Sequence, residues 1–163
     1  MRRAISVLLA LLTLSFAAAQ AETGLANPWT QTTAQGLMDV LGVQLGLPDG
    51  ATNVSWQMME TEQVGQVSFR WQGENYTARV APADAFEDIS GMVYEWESQE
   101  DCAVGRCKGV CRRAHSAGKN VDLCLWYDDL TGLMYSVGVI GDNLDGFDIT
   151  AAANILYIPM QTE

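Results

Sequence analysis

The chain has 163 residues, with nine lysines and arginines, 20 aspartates and glutamates and a single histidine, for a net charge of −11. So acidic a protein argues against nucleic acid and anionic membrane surfaces as partners, because both would repel it. The length suits one domain with one core, and a lone histidine restricts any histidine-based metal site or catalytic triad to His115.

Arg2 and Arg3, the apolar run from Ala4 to Ala19, and the small residues Ala17, Ala19 and Ala21 follow the order of a secretory signal peptide, with cleavage expected after Ala21. The apolar run is shorter than the roughly 20 residues a membrane span needs, and no basic residue follows it. The expected product is residues 22–163, one secreted, periplasmic or cell-envelope domain with no span after signal cleavage. Export in turn favours two disulfides over thiolate metal ligands for the four cysteines.

Thr30 to Leu41 carries apolar residues at Ala34, Leu37, Met38 and Leu41, the spacing of an amphipathic helix that Gly42 would stop. The period then changes to two. Val54, Trp56 and Met58 form one stripe; Val67, Phe69 and Trp71 form a second; and Tyr76, Ala78 and Val80 form a third after the Gln72-Gly73-Glu74 turn. Pro82 ends that strand. Met92, Tyr94 and Trp96 suggest a fourth strand, and residues 98–119 interrupt the meander. Strands resume at Val121–Tyr127 and Leu133–Val139, and Asp148 is placed to cap a closing helix with Ile149, Ala152, Ala153, Leu156 and Tyr157 on one stripe. The expected fold is α+β: an antiparallel sheet of about six strands, an N-terminal and a C-terminal helix packed on one face, and a disulfide-stapled loop.

That loop holds most of the chemistry. Its cysteines are spaced Cys102-x4-Cys107-x3-Cys111-x12-Cys124. A reversal near Arg106 and Cys107 would set Cys102 opposite Cys111 and free Cys107 to reach Cys124, so those two disulfides are the preferred pairing, each stabilising by roughly 2–3 kcal/mol. The gap of three in the middle does not fit a ferredoxin cluster, and there is no C-x2-C pair of a structural zinc site. No metal ligand set and no cofactor is therefore expected. Arg106, Lys108, Arg112, Arg113 and Lys119 crowd within 14 positions, which suggests either a contact surface for an anionic ligand or acidic protein, or a loop folded back on Glu95, Glu97, Glu100 and Asp101. His115 and Trp126 complete the possible binding surface, Trp126 because it shares a face with Cys124.

Other patterns are weaker. Residues 142–148 fail as a calcium loop at its first and last ligand positions, and nothing selects a catalytic carboxylate pair from the 20 acids. The layout of helix, PDGAT turn, meander, FEDISGM, LCLWYD, GLMYSVGV and closing helix resembles small exported bacterial domains without an assigned activity; the likeness carries over no site residue. The functional expectation is a secreted or envelope-associated binding or interaction module with no catalytic residues. The alternative is a small secreted hydrolase or thiol enzyme using His115 and a cysteine of residues 102–124.

Overall fold

The computed structural model describes Asn27 to Met160; the signal-peptide expectation for residues 1–21 lies outside that range. Eight strands build one antiparallel sheet: β1 (Thr30–Thr32), β2 (Thr52–Met59), β3 (Val64–Trp71), β4 (Glu74–Pro82), β5 (Ser98–Val104), β6 (Cys107–Ser116), β7 (Lys119–Asp128) and β8 (Leu133–Gly141). Their order is β1-β2-β3-β4-β8-β7-β6-β5. Two four-strand meanders therefore meet at the β4–β8 pairing. The helices α1 (Ala34–Leu41) and α2 (Ile149–Leu156) have eight residues each.

The six-strand α+β expectation is overturned, because the fold is mainly β. The segment expected to interrupt the sheet supplies β5, β6 and the start of β7. Its alternation was masked by cysteines, glycines and arginines standing where aliphatic residues usually mark a strand. Conversely, residues 91–96 alternate but find no strand partner. They belong to a strap, residues 83–97, that carries the chain across one sheet face to the far edge. Met92 packs on Gly138, Arg112 lies over Trp96 at 5.9 Å, and the strap backbone at Ile89 accepts a hydrogen bond from Arg79. Beneath the strap, Leu123, Leu125 and Met134 form a small second core.

The opposite face holds the main core. Val67, Phe69, Tyr76, Ala78, Val80, Val137 and Val139 line it, and Leu37 of α1 and Ala152, Ala153 and Leu156 of α2 close onto it. Thr33 caps α1 by accepting from the Gly36 amide, and Gly42 ends it in the left-handed region at φ 66°. Asp148 caps α2 by accepting from the amides of Thr150 and Ala151. The helices cover parts of this face, not a full second layer.

Candidate functional site

Two tight turns set the site. Ala117 and Gly118, both at positive φ, join β6 to β7, the geometry of a two-residue hairpin turn. That register puts Cys111 directly opposite Cys124. Gly105, at φ 56°, and Arg106 join β5 to β6, which puts Cys102 opposite Gly109 and Glu100 opposite Cys111. Side chains on one sheet face recur every second residue, so Cys102, Cys111 and Cys124 share the main-core face on three adjacent strands.

Gly109 is what lets the third thiol join. A β-carbon there would lie 2.7 Å from the Leu125 carbonyl oxygen and 3.0 Å from Cys102 Sγ. Cys102 uses that space to lean across β6, and its Sγ comes to 3.6 Å from Cys124 Sγ. All three sulfurs lie within 4.8 Å of one another. Above them stands α2, whose Thr150 hydroxyl is 3.3 Å from Cys111 Sγ.

The three thiols are electrostatically unequal. Hydrogen bonding from Cys124 lowers the Cys111 thiol to about 6 against the opposing effect of burial, with help from Thr150 and Cys102. Burial and the neighbouring Cys111 push Cys102 up to about 12. Cys124 is pushed further up by Cys111 and by burial. The cluster thus places its first negative charge on Cys111, flanked by two S–H donors. Cys111 also lines a cleft of about 200 Å³, together with Ser98, Glu100, Arg113, Asp122 and Asp148.

All four cysteines are free, so the expected Cys102–Cys111 and Cys107–Cys124 disulfides are absent. The Cys102–Cys124 separation of 3.6 Å exceeds a covalent S–S length of about 2.05 Å. The physical reason is register. The β5–β6 turn falls one residue earlier than expected, which moves Cys102 off Cys111 and onto Gly109. Cys107 stands four residues from Cys111 along β6, roughly 13 Å at the rise of a strand, beside Tyr157 rather than Cys124.

The basic residues are largely occupied. Arg106 binds both oxygens of the buried Asp128 at 3.0 Å, Arg112 pairs with Asp88 at 2.8 Å, and Arg113 grips both oxygens of Asp122 at 2.7 Å. Lys119 pairs with Asp142. These acids are not the Glu95–Asp101 group expected from sequence. Lys108 is exposed on the other sheet face from the thiols. His115 is exposed, with Nδ1 3.3 Å from Asn120 Oδ1, and again roughly 13 Å along β6 from Cys111, so no Cys–His dyad forms. Trp126 is 1% exposed, stacked on Tyr135 at 5.2 Å and covered by Tyr157. It belongs to the core, not to a surface.

Sequence reasoning missed Thr150 and Asp122 as neighbours of the cysteines, and missed the space that Gly109 leaves for Cys102. The chain matches no protein family, and neither a curated protein nor a solved structure matches it.

Proposed function

We propose that the protein is a binding module whose ligand is a soft metal ion, held by Cys102, Cys111 and Cys124. The single observation that carries the reading is the convergence of three sulfurs within 4.8 Å on three adjacent strands. Thiolates are the ligands that soft ions select, and tetrahedral Zn–S bonds of about 2.3 Å would set their sulfurs about 3.8 Å apart, close to the 3.6 Å between Cys102 and Cys124. The rigid sheet fixes all three donors before the ion arrives, so little ordering cost opposes binding. Export, expected from residues 1–21, would place this capture in the cell envelope or outside it.

Cadmium(II) given to the fully reduced protein without oxygen tests the reading. The expected result is one ion per chain, with a sulfur-to-metal charge-transfer band that is lost in Cys111→Ala and kept in Cys107→Ser. Absence of that band in the folded, reduced wild type would sink the proposal.

A second reading, a thiol enzyme, is favoured by the lowered Cys111 thiol in its cleft. It uses Cys111 alone, since His115 lies too far away to serve as its base. Turnover of an acyl or disulfide substrate that Cys111→Ala abolishes, in protein that takes up no metal, would select it.

A further inference from the structure

We propose that the ion selected is monovalent and three-coordinate, of the copper(I) class, and that it reaches the thiols through the cleft at Cys111. The inference rests on the soft-metal reading above and names its substrate.

Zinc in structural sites wants four protein donors in a tetrahedron, drawn from thiolate, imidazole and carboxylate. Among the described residues, this cluster brings together three such groups, all thiols. The nearby carboxylates stand outside that group. Asp148 Oδ1 accepts from the Thr150 and Ala151 amides, which fixes this carboxylate as the α2 cap, and both oxygens of Asp122 are held by Arg113. The neighbour closest to Cys111 from above is the Thr150 hydroxyl at 3.3 Å, a neutral oxygen outside the usual zinc set. Glu100 stands opposite Cys111 in the β5–β6 register but is exposed, and it, like the second oxygen of Asp148 on the cleft wall, would have to be drawn in to reach the ion. Copper(I) is satisfied by soft thiolates alone, without a fourth donor.

Access follows from burial. Cys124 is 0% exposed, whereas Cys102 and Cys111 are both part-exposed, and it is Cys111 that lines the cleft beside Arg113 and Asp148. Binding forms three S–Cu bonds and releases to solvent whichever thiol protons are still present, up to three. No electrons move, and the complex carries a net charge of −2. Arg113, on the cleft wall and two residues along β6 on the same sheet face as Cys111, is the cation placed to receive that charge.

The test loads anaerobic, reduced protein with copper(I) or zinc(II) and reads coordination by X-ray absorption. The expected copper(I) form holds one ion per chain, with three sulfur neighbours and no oxygen or nitrogen, and survives desalting. Zinc is expected to be lost on desalting. Glu100→Gln, an exposed change that spares the fold, is expected to leave copper(I) affinity unchanged, while Cys111→Ala lowers it at least tenfold. A fourth oxygen neighbour, retention of zinc through desalting, or a tenfold loss in Glu100→Gln would make this a four-donor divalent site; cadmium binding would persist, so the soft-metal reading would stand without this inference. Failure of cadmium, copper(I) and zinc alike to bind reduced, folded protein would overturn both.

Discussion

At the scale of single residues, Gly109 matters most because it is defined by what it lacks. A methyl group there meets a backbone carbonyl at 2.7 Å, which cannot swing aside as a flexible side chain would. Gly109→Ala should therefore push β6 from β7 and displace Cys102, at a cost of about 1–3 kcal/mol typical of overpacking. Denaturant melts should show that loss, and cadmium titration should show at least a tenfold weaker site. Exposure separates the thiols as well: Cys102 and Cys111 are part-exposed and Cys124 is buried, so Cys124 should be the last of the trio alkylated, as peptide mapping after brief labelling would report. Labelling of Cys124 ahead of Cys111 would contradict the geometry. Asp128 is a third such residue. Burial raises its carboxyl, but hydrogen bonds from Tyr157 and Arg106, with those of Leu130 and Thr131, outweigh burial and hold it below the ordinary value. Its stabilising contribution is therefore present above the unfolded carboxylate value of about 4 and lost as pH falls through the folded value. Asp128→Asn should flatten the acid limb of a stability-against-pH curve and leave its alkaline limb in place.

At the scale of elements, the local rules were legible wherever hydrophobic period and punctuation agreed. The Asp148 cap and the stripe Ile149, Ala152, Ala153 and Leu156 lie as their spacing implies, and those four apolar residues are buried. The strands on either side of the Gln72-Gly73 turn follow the same logic. Where the cues parted, legibility failed. The turn at Ala117-Gly118 was visible as a small-residue pair, and taken as a two-residue hairpin it sets Cys111 against Cys124 with no further information. Four cysteines at this spacing equally suit the closure of a stapled loop, a cue that competes with the strand register. Cys102 is harder to place, because it stands two strands from Cys124 and its approach depends on the space that Gly109 leaves on the strand between them. At the start of the chain, Thr30–Thr32 pair with β2 and the helix begins only at Ala34, after the Thr33 cap. Leu156→Ala tests the α2 contact. It should cost about 2–5 kcal/mol, as for a fully buried leucine, and a melt that loses less would mean that α2 is only loosely docked.

At the scale of the whole molecule, the strand order could not be read from the chain in order. Strand propensity identifies segments, whereas partner choice depends on where a connection leads. Here residues 83–97 carry the chain over β8, β7 and β6 before β5 begins, so β4 finds β8 instead of β5. This architecture predicts a gradient of amide protection. The amides of β4, β8 and β7, paired on both sides, should exchange slowest, while β1 and β5 at the two edges exchange fastest. Far-UV circular dichroism should be dominated by strand, since each helix has only eight residues.

The seam between the two meanders also bears on how the molecule comes into being. β4 and β8 join partners as distant in sequence as Asn75 and Ile140, and such loops are entropically slow to close. Cys102, Cys111 and Cys124, by contrast, sit on consecutive hairpins, with the outermost two only 22 positions apart. The thiols can thus converge while the sheet is still in halves. An ion gripped at that stage would bind the incomplete chain as well as the finished one, speeding assembly while adding less to final stability than its affinity implies.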